Sequence, residues 1–222
     1  MQYIFDAESG KSLLSIKDET YRYLFKARRH KLEDIFYFRN LEDNILYKYI
    51  VKDISKKEAL LTLESSTVKV VEPVRKLHIA WCVIDTKLIE KYITSLNEIG
   101  VSKITFVYSQ YSQKNFKPNL EKLNKILINS SQQCGRSSLM KLEICKNLQT
   151  FLKEYPQTKV LDFSDNKISQ TSDIETILVG TEGGFSQSER ELFSNDAAVG
   201  LNSNLILRSE TAAISVASKI LL

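Results

Sequence analysis

The chain is poor in the residues that staple small folds or hold metals. Among its 222 residues are three cysteines, Cys82, Cys134 and Cys145, too few and too scattered for a disulfide framework or a C-x-x-C site. Only two histidines are present, His30 and His78, which leaves little for zinc. Reduced thiols and no metal are therefore expected. The opening MQYIFDAESGK lacks an apolar core after a basic start, and no apolar run approaches the length of a membrane span. A cytoplasmic protein with no membrane partner is the expectation. Internal repeats and low-complexity tracts are also missing. Glycine is sparse, yet three of the seven glycines fall between Gly180 and Gly184.

What remains is ordinary for a globular protein: 43% apolar and 26% charged residues, enough to bury a real core in one large or two modest domains. A net charge of +4 permits a nucleic-acid partner without demanding one. Residues 1 to 76 carry net +3 and the remainder +1, so the excess lies in the first third. Its densest run is Lys26-Ala27-Arg28-Arg29-His30-Lys31, just after Tyr21, Tyr23 and Phe25. Lysine and arginine supply phosphate affinity and aromatic faces stack on bases; the same pattern also describes a solvated face over buried rings.

Apolar periodicity divides the chain. Ile35 to Phe38, Ile45 to Val51 and Ala59 to Leu63, separated by polar turns, read as a small meander or barrel. Ser65 to Lys76, with Pro73, has no clear period and reads as a linker, with a boundary near residue 72. Beyond it strands and helices alternate: Leu77 to Ile84, an Asp85-capped helix ending at Gly100, Ile104 to Tyr108, a helix over Asn119 to Ser131, Leu139 to Cys145, a short helix before Pro156, and Val160 to Phe163. That is the pattern of a mainly parallel α/β sheet, in whose core Trp81 is expected to pack.

The most informative stretch is the last. Ile177-Leu178-Val179 reads as a buried strand ending in Gly180-Thr181-Glu182-Gly183-Gly184, where glycine permits positive φ and close approach of a ligand. Ser186-Gln187-Ser188-Glu189 follows as a capping box. The apolar Leu205-Ile206-Leu207 then runs into Arg208-Ser209-Glu210-Thr211, which opens a helix rich in Ala and Ser. Polar groups crowd where two apolar segments end. Taken singly, GTEGG is most simply a tight connection and Arg208 with Glu210 a surface pair.

Together, GTEGGFS, LILRSETA and Gln133-Cys134-Gly135-Arg136 resemble the three ordered signatures of the RsmE family, SPOUT-class methyltransferases of small-subunit ribosomal RNA. Asp85 to Lys91 and Asn97 to Val101 are similar to that family's first helix and its ending. Three departures stand out: Thr181 where the family has proline, no glycine in Asn202-Ser203-Asn204, and Glu33 where a glycine commonly follows the basic segment. The resemblance implies a PUA-like RNA-binding β-barrel over 1–70, a trefoil-knotted SPOUT domain over 73–222, S-adenosylmethionine as cofactor, 16S rRNA of the small subunit as partner, and a homodimer. Cofactor contacts are expected from Val179, Gly180, Thr181, Glu182, Gly183, Gly184, Leu201, Asn202, Leu205, Ile206, Leu207, Thr211 and Ala212.

The implied reaction is methylation of N3 of a uridine, in which a proton leaves and the developing anion needs a cation. Arg208 is the expected electrostatic group, Glu210 its orienter or the base, and Arg136 a holder of RNA or the target base. Arg22, Lys26, Arg28, Arg29 and Lys31 are the expected RNA-docking residues. A related enzyme acting on a ribose 2′-oxygen or another base, and a non-catalytic ribosomal RNA-binding or assembly protein, remain as alternatives.

Overall fold

The computed structural model describes residues 2–169, 173–194 and 196–222, and the chain forms two compact units. The first comprises Met1–Glu72 together with Ser131–Leu139; the second comprises Pro73–Ser130 and Met140–Leu222.

In the first unit, β1 (Ile4–Phe5), β2 (Leu13–Ile16), β3 (Ile35–Arg39), β4 (Ile45–Ile54) and β5 (Ala59–Val68) form one mixed sheet in the order β1-β3-β4-β5-β2. β1 runs parallel to β3 and the other pairs are antiparallel. Alternation along β3 turns Phe36 and Phe38 inward and Tyr37 outward. Inward rings join Tyr49, Val51, Leu14, Ile16 and Leu61 in one core. Register shifts in β4 at Lys48/Tyr49 and Val51/Asp53 mark bulges, the device that curls a sheet. A short helix, α1 (Asp18–Tyr21), continues as a wider π-helical turn over Arg22–Ala27 and lays Tyr21, Leu24 and Phe25 on that core.

Three sequence expectations change here. β1 and β2 were not anticipated, because each is only two to four residues long and neither has a long apolar alternation. Ser65 to Val68 is strand and not linker: it pairs with Ile45 to Lys48 although its side chains are exposed. Ser131–Leu139, which reads as part of the second domain, belongs to the first unit, since Gln2 N–H donates to Gln132 O (2.8 Å), Tyr3 Oη to Arg136 O (2.7 Å) and Ser137 N–H to Val71 O (3.0 Å). At Glu33 φ is +66°, a left-handed backbone held without the residue that favours it.

The second unit is a six-stranded, wholly parallel sheet: β6 (His78–Cys82), β7 (Lys103–Val107), β8 (Lys141–Cys145), β9 (Lys159–Leu161), β10 (Thr176–Val179) and β11 (Ala198–Val199), in the order β11-β9-β10-β6-β7-β8. Its helices are α2 (Thr86–Ile99), α3 (Leu120–Cys134, whose end belongs to the first unit), α4 (Leu148–Glu154), α5 (Gln187–Arg190) and α6 (Ser209–Leu221). Asp85 caps α2 by accepting from Lys87 N–H, and Gly100 ends it at φ +107°. All five residues of β6 are buried, as a strand covered on both faces requires. Trp81 is fully buried in that strand.

The chain builds outward from β6 to β7 and β8, then returns to β9, β10 and β11 on the other side. Connections therefore reverse direction between β6 and β10. In open α/β sheets the crevice beyond the carboxyl ends of such neighbouring strands is where ligands sit. The chain there is Val83 to Asp85 after β6 and the glycine loop after β10.

Candidate active site

Gly180 follows β10, and a Cβ there would lie 3.1 Å from the Phe185 ring. The loop closes when Gly184 N–H donates to Thr181 O (2.9 Å), with Gly184 at φ +68°. Only Gly184 uses the left-handed backbone; Gly180 and Gly183 are needed for space, since a Cβ on Gly183 would lie 3.3 Å from the Tyr111 ring. Ser186 and Glu189 then form the reciprocal cap of α5, and the buried Glu189 also accepts from Gln110 N–H (2.7 Å) in the loop after β7. One carboxylate thus holds two loops.

The final helix is anchored to the same place. Ser209, its first residue, accepts from Trp81 Nε1 (2.9 Å) and donates to Gly180 O (2.6 Å). A buried hydroxyl thereby joins β6, the end of β10 and the start of α6. Sequence reasoning did not single out Ser209.

Between these loops opens a cleft of about 780 Å³, its mouth included. Of the expected cofactor residues, Val179, Gly180, Thr181, Glu182, Gly184, Leu201, Leu205, Ile206, Leu207 and Ala212 line it. Gly183 instead faces a second cavity, while Asn202 and Thr211 are exposed and are not among the lining residues. Leu205 to Leu207 is a loop, not a strand, and Leu205 and Ile206 are 75% and 82% exposed. The short strand before α6 is β11. Lining residues that the sequence did not indicate are Leu161, Asp162, Phe163, Lys167, Phe185, Ser203 and Ser209. Ending β9 at Leu161 leaves Asp162 and Phe163 in the loop beyond a parallel strand, the place where ligand contacts concentrate. Asp162 is ion-paired to Arg190.

The expected catalytic residues are not all together. Arg208 and Glu210 flank Ser209, but Arg208 is exposed and Glu210 is 3% exposed, and no ion pair between them occurs among the described residues. Glu210 Oε2 is buried with no hydrogen-bond partner among the described residues. Thr181 Oγ1 is likewise buried without a partner among the described residues. Arg136 lies in the first unit, buried, with Nε 3.7 Å from Glu72. Burial lowers its pKa, against the opposing pull of Glu72. Such a guanidinium is built into its surroundings.

Arg22, Lys26, Arg28, Arg29 and Lys31 are all exposed on the π-helical turn and the residues after it. Tyr21 and Phe25 are core residues; Tyr23, 39% exposed, is the ring left available, with the Arg28 guanidinium 5.3 Å from its centroid. Tyr37 and Ile35 are also exposed in this unit.

Comparison with known proteins agrees with this geometry. Residues 71–221 match the RNA methyltransferase domain family. The chain is 39% identical over 222 residues to the ribosomal RNA small subunit methyltransferase E of Helicobacter pylori, covering 98% of each. Among solved structures it resembles a Legionella pneumophila protein in complex with the bound cofactor SAM, with TM-score 0.81, 23% identity, and 98% and 95% of the two chains covered. It also resembles a ribosomal RNA small subunit methyltransferase E from Neisseria gonorrhoeae bound to S-adenosyl methionine, with TM-score 0.77, 18% identity and the same coverage. These two show the same fold. The chain belongs to the RNA methyltransferase domain family, within the group of the small-subunit ribosomal RNA methyltransferase E proteins.

Proposed function

We propose that this protein transfers a methyl group from S-adenosylmethionine to N3 of a uridine in the 16S rRNA of the small ribosomal subunit, acting in the cytoplasm. The observation that carries the reading is the cleft at the point of strand reversal, lined by the glycine loop and by residues 201–207, in a chain related over its whole length to a methyltransferase of that class.

The residues present fit the cofactor. Phe163, Leu205 and Ile206 expose apolar surface at the cleft, which an adenine ring would cover. Backbone groups of the glycine loop can meet its polar edges, and Thr181 Oγ1 is buried there without a partner among the described residues. When bound, S-adenosylmethionine supplies a methyl group on a positively charged sulfur.

The chain supplies the rest. Uracil N3 carries a proton, so its lone pair becomes reactive only as that proton departs and charge spreads to both carbonyl oxygens. Glu210, a buried carboxylate with an unsatisfied oxygen, accepts the proton. Arg208, exposed at the mouth of α6, stabilises the anion. Ser209 fixes both by tying the helix start to Trp81 and Gly180. Holding the acceptor in line with the methyl group supplies a further part of the acceleration. Such a base must leave its stack first.

The first unit is read as a PUA-like RNA-binding barrel and the second as a trefoil-knotted SPOUT domain, the protein acting as a homodimer. Arg28 and Arg29 sit on the docking face. Changing both to glutamate is expected to weaken binding to small subunits and to lower the log–log salt slope by about 2, with cofactor affinity unchanged. An unaltered slope would show that the patch is only solvated.

The deciding experiment is methyl transfer from labelled S-adenosylmethionine to small subunits from cells lacking this gene, followed by nucleoside analysis. Label in N3-methyluridine is the expected result. Label in a 2′-O-methylated ribose or another base would replace the regiochemistry; no label, with cofactor and subunit both bound, would favour an assembly role.

A further inference from the structure

A second cavity lies against the other side of the glycine loop, about 720 Å³ with its mouth included. Its floor is Val83 and Ile84, where β6 ends, with Asp85 and Leu88 at the start of α2. Tyr111, Gln113 and Phe116, from the loop after β7, form one wall, and Thr181, Glu182 and Gly183 form the other. Thr181 and Glu182 also line the first cleft, so the two spaces are neighbours across two residues.

This wall is built, not slack. Tyr108 Oη donates to Phe116 O (2.8 Å), Ser109 N–H donates to Ser112 Oγ (3.2 Å), and Gln110 N–H donates to the capping carboxylate Glu189 (2.7 Å). Its most prominent ring nevertheless faces water. Tyr111 is 51% exposed and rests on Gly183, where a side chain would meet it at 3.3 Å. The lining has two carboxylates, Asp85 and Glu182, and no lysine or arginine, so a phosphate is disfavoured inside. Exposed Lys114 and Lys117 stand on the same loop outside the lining. Aromatic faces, acidic acceptors for N–H groups and exposed cations on the same loop match one ligand chemistry: a nucleobase whose flanking phosphates stay outside.

We infer that this cavity takes one extruded nucleobase of the substrate RNA, stacked on Tyr111. The inference rests on the proposed methyl transfer to ribosomal RNA and names where that RNA enters. Phe116 forms the second apolar contact, and Asp85 and Glu182 accept from the base edge.

The test measures equilibrium binding of small subunits lacking the modification to the full-length protein, with S-adenosylmethionine titration and methyl transfer measured separately. Tyr111→Ala is expected to weaken subunit binding about 10-fold, as loss of one stacked base does. Phe116→Ala should weaken it in the same direction, Tyr111→Phe should restore it because the ring suffices, and cofactor affinity should stay at the wild-type value. Subunit binding unchanged in both alanine variants overturns the inference, as does parallel loss of cofactor affinity or failure of Tyr111→Phe to restore. If wild type binds subunits but transfers no methyl, the proposed reaction fails while the binding series still judges the cavity.

Discussion

Replacing Arg208 with alanine is expected to lower kcat by about 10²- to 10³-fold, the usual effect of removing one donor to a developing oxyanion. The structure makes this a clean substitution. The Arg208 side chain is exposed and makes no capping hydrogen bond, while its carbonyl accepts from Ala212 N–H (2.8 Å) whatever the side chain is. At φ −63° and ψ 154°, its backbone suits alanine. The helix start, the Ser209 contacts and the cleft walls should therefore persist, and S-adenosylmethionine should bind as in the wild type. Single-turnover methylation of small subunits, paired with a cofactor titration, reads both quantities. If the variant loses both together, Arg208 is shaping the cofactor cleft and the role assigned to it is wrong.

The second large effect is expected at Gly200, a position without any motif. A Cβ there would lie 2.5 Å from Ser164 O and 3.1 Å from Ser164 N, and both are backbone atoms that cannot rotate away. The chain cannot slide aside either, because Gly200 N–H donates to Asn166 O and Gly200 O accepts from Ile168 N–H, each at 2.9 Å. Gly200→Ala must displace the loop that carries Asp162, Phe163 and Lys167 into the cleft. A destabilisation of about 2–3 kcal/mol is expected, as for other overpacked sites, or a Tm lower by about 4–12 °C in a chain of this size. Cofactor affinity should fall about 10-fold or more through the displaced wall. Thermal unfolding with and without S-adenosylmethionine distinguishes the two effects; a variant with unchanged Tm and affinity would show that the loop yields freely.

The two residues differ in how they could be found. Arg208 follows an apolar run and opens a helix, a local arrangement visible in consecutive residues. Gly200 matters because Ser164 crosses it, and nothing near residue 200 announces that crossing. The same division holds elsewhere. The caps of α2 and α5 were legible since their hydrogen bonds span two or three residues: Asp85 to Lys87, Ser186 to Glu189. Strand β10 and the helical stripes of α2 were legible because burial imposes a period.

Elsewhere the local signal admits more than one outcome, and tertiary context decides between them. Leu205-Ile206-Leu207 has the composition of a buried strand but is the exposed lip of a cleft; apolar content alone does not distinguish a core from a surface awaiting a ligand. Tyr21 and Phe25 flank a basic run as stacking residues would, yet the curled sheet puts them inside and leaves only Tyr23 of the three rings exposed. Arg136 follows a family signature, but hydrogen bonds from Tyr3 and Ser137 place its segment with the first unit, where it meets Glu72.

By itself the sequence determined the alternation that makes a parallel sheet, the glycine loop and capped helix after β10, and the charged opening of α6, because each follows from spacing within about ten residues. The tertiary structure alone decided that β10 lies beside β6, that Ser209 joins Trp81 across 128 positions to the glycine loop, that Asp162 and Phe163 line the cleft, and that Ser164 crosses Gly200. Those facts depend on strand order, which is set by the packing of whole faces and leaves no mark on neighbouring residues.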